Sequence, residues 1–214
     1  PICPFAWQTS RWLRRVAVLR GLTVRWRFIN LSILNEERDY DAEFPEGYAE
    51  SHMKGRYMLR VAAAVQDVEG AEAMGPLYEA FGQSIWHRVL EPGADYRADI
   101  ATEEHLSAVL TAAGFSTDYA AAYQDDSWDD LLRAETEAAV GRTGSDVGTP
   151  ILTFGPPDGP SIFGPVISAV PESDADCLEL YDAALTLTKF GTFSELKRSD
   201  RQSLDLPLLT GRLD

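Results

Sequence analysis

Pro1-Ile2-Cys3-Pro4-Phe5-Ala6-Trp7 is the stretch on which the reading of this chain turns. Proline suits the first position of a helix, where its missing N–H costs nothing. A helix beginning at Pro4 turns its unpaired backbone N–H groups and its positive end toward the Cys3 sulfur. Such an environment stabilises a thiolate, and the thiolate is the nucleophile. The pattern therefore predicts a depressed pKa at Cys3. Thiol redox proteins of the C-x-x-C type place a resolving cysteine three residues on. Here that position is Ala6, so the attacking sulfur is present and its partner is not. A plain structural cysteine remains open on this dipeptide alone.

Working outward, residues 4 to 20 predict a helix, with Trp12, Val16 and Leu19 at helical spacing and Gly21 to end it. Residues 22 to 30 predict a strand, because Leu22, Val24, Trp26 and Phe28 alternate with polar residues. Residues 31 to 44 read as a charged loop. From Pro45 the pattern is helical. Tyr57, Met58, Val61, Ala62 and Val65 form one apolar stripe, and Met74, Leu77, Phe81 and Ile85 a second. Leu106, Val109, Leu110 and Ala113 form a third, and Trp128, Leu131 and Leu132 begin a fourth with Ser127 as its cap. Residues 150 to 167 predict a β-hairpin around Pro156-Pro157-Asp158-Gly159. A helix from Ser173 to about Leu187 follows, then a tail over 189–214.

The composition narrows the function classes. A chain of 214 residues is one large domain, or one domain carrying an insertion. Its net charge of -15 argues against nucleic acid and against an anionic membrane surface. No apolar run has transmembrane length and no basic leader precedes one, so a soluble, cytoplasmic protein is expected. Two cysteines make no disulfide scaffold. Cys177, sharing a helical face with Tyr181 and Ala184, reads as a buried structural thiol. His52, His87 and His105 lack metal-ligand spacing, and no phosphate-binding glycine loop occurs, so neither metal nor nucleotide is expected.

Cys3-Pro4-Phe5-Ala6-Trp7, Leu31-Ser32-Ile33-Leu34-Asn35-Glu36, Asp146-Val147-Gly148-Thr149-Pro150, Phe163-Gly164-Pro165-Val166 and Glu195-Leu196-Lys197-Arg198 occur in this order. Together they resemble the thioredoxin-like family that contains the disulfide oxidase DsbA, and within it the actinobacterial mycothiol-dependent nitroreductases. The resemblance implies an α/β, thioredoxin-like fold with an all-helical insertion. Its expected parts are residues 1–42, an insertion over 43–142, and residues 143–214. A β-α-β unit would need a strand before Cys3, where only Pro1 and Ile2 stand. The expectation is an unfilled central sheet position, or native residues before Pro1.

The resemblance also implies a site. Cys3 is its expected catalytic residue, supported by Pro4, Phe5, Trp7, Thr149 and Pro150. The Thr149-Pro150 bond is expected to be cis, leaving the backbone at 149 free to pair with an extended thiol substrate. Asn35, Tyr48, His52 and Trp86 are candidates for the pocket wall under a helical roof, although an aromatic at helical spacing is commonly core. The implied co-substrate is a low-molecular-weight thiol, mycothiol, with an electrophilic small molecule as the other partner and a monomer or homodimer as the assembly. The family pattern has a second cysteine where this chain has Ala6, which puts dithiol cycling in doubt. Two other readings stay open. One is a kappa-class glutathione transferase or 2-hydroxychromene-2-carboxylate isomerase, which needs a single activated group. The other is a non-catalytic binding protein on the same fold.

Overall fold

A computed structural model describes residues 1–144 and 146–213, so the end of the tail at Asp214 lies outside it. The described chain divides into two compact units. One comprises Cys3–Val24 and Ala139–Asp205; the other comprises Pro1–Ile2, Arg25–Ala138 and the terminal segment from Leu206.

In the first unit, α1 (Pro4–Arg20) carries the sequence that opens the chain. Gly21 closes it in the left-handed conformation, φ 63°, which an L side chain resists. The hairpin forms as expected, with β1 (Ile151–Thr153) antiparallel to β2 (Ser161–Phe163) and Leu152 opposite Ile162. Its turn requires Gly159, where a Cβ would lie 1.7 Å from the Phe154 carbonyl oxygen. Ser173 caps α8 (Asp174–Thr188) by accepting the Asp176 N–H at 3.0 Å. Helices α1 and α8 pack through Trp12, Val16 and Cys177, each fully buried, with Leu152, Val170 and Tyr181 around them. The Trp12 indole donates to the Cys177 carbonyl at 3.0 Å, which fixes the two helices in register.

The second unit is helical. Its short opening turns are α2 (Leu31–Leu34) and α3 (Tyr40–Glu43). The long helix α4 (Tyr48–Glu69) follows, then α5 (Met74–Trp86), α6 (Glu103–Ala113) and α7 (Asp129–Thr143), whose last residues pass into the first unit. A terminal turn, α9 (Pro207–Thr210), packs on α5. The stripes read from the sequence form this core: Met58, Val61, Leu77, Phe81, Ile85, Leu106 and Leu110 are almost entirely buried. Asp129 joins α7 to α4 by accepting bonds from both Arg56 and Arg60. The division does not fall at residues 42 and 142, because α2 packs on α4 and α9 on α5.

Three local expectations need correction. Residues 22–30 form no strand: a strand exists only where a neighbouring backbone completes its ladder, and the one sheet among the described residues is β1–β2. The alternation survives, with Phe28 and Asn30 buried and Arg25 and Arg27 exposed. However, the Asn30 N–H is taken by the Thr136 hydroxyl at 3.0 Å. The loop at 31–44 contains two helical turns, capped by Asn30 and Asp39, whose side chains accept the following N–H groups. The approach to α7 is capped by Asp125, not Ser127, because a 3₁₀ turn at Asp126–Trp128 runs straight into the helix. Leu131 accordingly points outward and Leu132 inward.

Candidate active site

Cys3 is the N-cap of α1 in extended conformation, with Pro4 as the first helical residue. Its sulfur accepts the Ala6 N–H at 3.4 Å, the geometry the sequence predicts. The same sulfur lies 3.8 Å from the Thr149 carbonyl oxygen, to which the thiol donates. The Thr149–Pro150 bond is cis. Pro150 is buried, and its carbonyl accepts the Gly164 N–H at 2.8 Å, tying this loop to the far side of the hairpin.

The electrostatic balance differs from expectation. Burial pushes the Cys3 thiol above its ordinary value, and the backbone N–H groups of Ala6 and Phe5 pull it down by less. A neutral thiol donating to Thr149 is thus the resting state. The expected depressed pKa is corrected, because a helix terminus lowers a thiol pKa only as far as desolvation allows. Cys177 is fully buried, donates to the Pro171 carbonyl at 3.5 Å, and is likewise raised, mainly by burial. Both cysteines are free.

The supporting residues have separable roles. Trp7 is 1% exposed and belongs to the packed interior. Phe5 is half-buried, and the Arg201 guanidinium lies over its ring, 5.5 Å from the centroid. Gln8, fully buried, donates to the carbonyls of Ser168 at 3.0 Å and Asp205 at 2.6 Å. Thr9 donates to the Pro165 carbonyl at 2.7 Å. The first two turns of α1 are therefore held by polar bonds to the segments at 165–168 and 205.

The four candidate pocket residues belong to the helical unit. Asn35 donates to the Leu31 carbonyl at 2.8 Å and so finishes α2. Trp86 is 2% exposed and donates to the Pro1 carbonyl, a core position. Tyr48 and His52 do meet, ring to ring at 5.7 Å. They are part of a larger array that the sequence reading missed. Tyr40 stacks on Phe44 and Phe44 on Tyr48, at 4.9 and 5.9 Å between centroids. His52 lies edge-on to all three rings, and its Nδ1 is 2.8 Å from the Tyr40 hydroxyl. Burial lowers the pKa of His52 and raises that of Tyr40, so both are neutral. A cleft of about 200 Å³ opens beside Tyr40, Phe44, Pro45 and Tyr48. The signal was the spacing 40, 44, 48, 52, hidden because residues 31–44 read as loop.

A larger cleft of about 680 Å³ lies between α5 and α6, with Ser84 and His105 on its wall. Their 3.0 Å contact resembles a nucleophile and its base. The tautomer argues otherwise. The Ala101 N–H donates to His105 Nδ1 at 3.2 Å, so the proton resides on Nε2 and points at Ser84. Ser84 in turn donates to the Phe81 carbonyl at 2.9 Å. Burial holds His105 down to about 4, and the pair braces two helices. Among the described residues no group of three or more His, Cys, Asp or Glu could hold a metal ion, and no helix is long and apolar enough to cross a membrane.

Comparison with known proteins adds what geometry does not supply. The Rv2466c-like family, described as mycothiol-dependent nitroreductase Rv2466c, matches residues 2–198. An uncharacterized protein of Mycobacterium tuberculosis, Rv2286c, is 25% identical over 217 aligned positions, covering 100% of this chain and 84% of that protein. A family match that begins one residue before Cys3 and ends at Arg198 means that the chain belongs to the Rv2466c-like family of mycothiol-dependent nitroreductases, which are thiol-dependent oxidoreductases.

Proposed function

We propose that this protein is a single-cysteine, mycothiol-dependent reductase of small electrophiles, built on a thioredoxin-like scaffold with a helical insertion. Cys3 is the sole reacting sulfur. The observation that carries this reading is the placement of Cys3 at the start of α1, partly buried, against the Thr149 carbonyl. The hairpin and α8 that follow Thr149 are the order expected of the second half of a thioredoxin-like domain.

The chemistry follows from the bonds already described. In the resting state the Cys3 thiol donates to the Thr149 carbonyl. A thiol or disulfide substrate pairing with the backbone at 149 displaces that contact, and the sulfur loses its proton to solvent. The N–H groups of Ala6 and Phe5 then hold the anion. Cys3 attacks one sulfur of a small-molecule disulfide, whose S–S bond breaks and sends its electron pair off on the other half as a thiolate. A second small thiol, as thiolate, then attacks the mixed disulfide and expels the Cys3 thiolate, because Ala6 offers no internal thiol.

Intact mass after incubation with mycothiol disulfide tests the proposal. The expected result is one mycothiol adduct on Cys3, none on Cys3→Ser, and an unchanged adduct on Cys177→Ser. Nitroaromatic turnover with mycothiol should disappear in Cys3→Ser. A Cys3–Cys177 disulfide, or full turnover by Cys3→Ser, would refute the mechanism. The absence of Cys at position 6 also favours a transferase of the kappa class as second reading. That enzyme would yield thioether products and no protein adduct.

A further inference from the structure

We propose that Thr9 is a positioning residue: through Pro165 and Gly164, its hydroxyl holds the Thr149 carbonyl against the Cys3 sulfur. The inference rests on Cys3 being the reacting sulfur, and it names what keeps the backbone at 149 in place for a substrate.

A threonine inside a helix commonly returns its hydroxyl proton to a carbonyl one turn earlier in the same helix. Three others in this chain do so. Thr111 donates to the Ser107 carbonyl at 2.8 Å, Thr136 to Leu132 at 2.7 Å and Thr188 to Leu185 at 2.8 Å. Thr9 does not. It is 1% exposed, and it donates out of α1 to the Pro165 carbonyl at 2.7 Å. A hydroxyl has a single proton to donate, so this long-range bond replaces the local one.

That bond closes a ring. Pro165 follows Gly164, whose N–H donates to the Pro150 carbonyl at 2.8 Å. Pro150 follows Thr149, whose carbonyl accepts from the Cys3 thiol at 3.8 Å. From Thr9 back to Cys3 the helix spans about 9 Å. Gly164 is in the left-handed region, φ 94°, and a Cβ there would lie 2.9 Å from the Val166 nitrogen. The chain therefore turns sharply between the hairpin and Pro165, in a form that glycine alone adopts readily. In this ring the thiol contact is the long, weak link, and the Thr9 bond is short and enclosed. Gln8 anchors the segment further on, by its bonds to the Ser168 and Asp205 carbonyls, and Leu152 and Ile167 pack on Trp12 and Val16. Removing the Thr9 hydroxyl thus frees Gly164 and Pro165 without detaching the hairpin.

A carbonyl held at this place has two effects. It gives the neutral thiol an acceptor, which opposes ionisation. It also keeps the backbone at 149 ready to pair with an extended substrate. Loosening it acts in opposite senses on two reagents, both of which react after the thiol proton has gone to solvent. Iodoacetamide needs only the thiolate: a C–S bond forms at its methylene carbon, and iodide leaves with the electron pair of the C–I bond. Mycothiol disulfide needs the thiolate and the backbone edge: Cys3 bonds to one of its sulfurs, the S–S bond breaks, and the other half leaves as a thiolate.

The full-length protein is compared with three variants. Thr9→Val keeps the side-chain shape, Thr9→Ala leaves room for water at the Pro165 carbonyl, and Thr9→Ser keeps the hydroxyl. Intact mass locates each adduct on Cys3. In Thr9→Val and Thr9→Ala the pH profile of iodoacetamide labelling should shift to lower pH. The rate with mycothiol disulfide relative to iodoacetamide, at neutral pH, should fall about five-fold, as for one lost hydrogen bond. Either variant suffices if the other does not fold. Thr9→Ser should restore both readouts. If Thr9 only packs, Thr9→Val and Thr9→Ala change the urea midpoint and leave profile and ratio as in the wild type. That result overturns the inference while Cys3 remains reactive. If wild-type Cys3 reacts with neither reagent, the proposed mechanism falls and this inference with it.

Discussion

At the scale of the residue, Cys3 shows two physical effects in opposition. The helix start offers N–H groups to the sulfur, and burial withholds the water a thiolate needs. The structure resolves the contest in favour of the neutral thiol. A measurable consequence is the pH profile of its alkylation. Because the folded pKa lies above the ordinary value near 9.0, the thiolate fraction keeps rising through that pH. Iodoacetamide labelling of Cys3 should therefore increase about tenfold per pH unit from neutrality to beyond pH 9, followed by intact mass. A plateau below pH 8 would mean that the helix terminus dominates after all. The sequence shows the donors, because Pro4 and the helix are local. It does not show the burial, which is produced by residues distant in the chain.

At the scale of the element, the junction of α4 and α7 is the most exacting. Asp129 accepts two bonds from Arg56 and two from Arg60, and Arg60 is 8% exposed. Burial alone would raise the Asp129 pKa, but the two guanidinium groups overcome it and hold the carboxyl at about 2. A carboxyl with a depressed folded pKa contributes stability above its unfolded pKa and loses it as pH falls through the folded one. Here the window runs from about pH 4 down to 2, and the contribution is about 2 kcal/mol. Asp129→Ala should lose more, about 3 kcal/mol, since it leaves a buried guanidinium unpaired. Urea unfolding of the variant at neutral pH, with the wild type followed from pH 5 to about 2, checks both. Elements whose signals are local were legible: the Pro4 start of α1, the turn of the hairpin, the Ser173 cap. Residues 22–30 were not, because alternation describes which side is buried and says nothing of whether a neighbouring backbone pairs. The caps Asn30 and Asp39 were lost in the same misreading, and with them the array of Tyr40, Phe44, Tyr48 and His52.

At the scale of the whole molecule, family and approximate order were legible because the matching motifs are spread from Cys3 to Arg198. The allocation of residues to units was not, since Asn35 and Trp86 serve their own packing in one unit while Cys3 and Thr149 meet in the other. Nor was the placement of Arg201 on Phe5, a contact across nearly the full length of the chain. Buried tryptophans turn this division into an optical property. Trp7 and Trp12 are buried in one unit and Trp86 is 2% exposed in the other. Indoles so enclosed emit to the blue and shift to the red when water reaches them. Replacing Trp7 and Trp12 together by Phe leaves an emission change dominated by the helical unit, and Trp86→Phe leaves one dominated by the unit that holds Cys3. Denaturant titrations of the two variants should give separately resolved colours of unfolding; identical spectra throughout both titrations would contradict the assignment. The protein thus carries intrinsic lamps in each half of its interior, and those at Trp7 and Trp12 are mounted on the helix that begins at the proposed reactive sulfur.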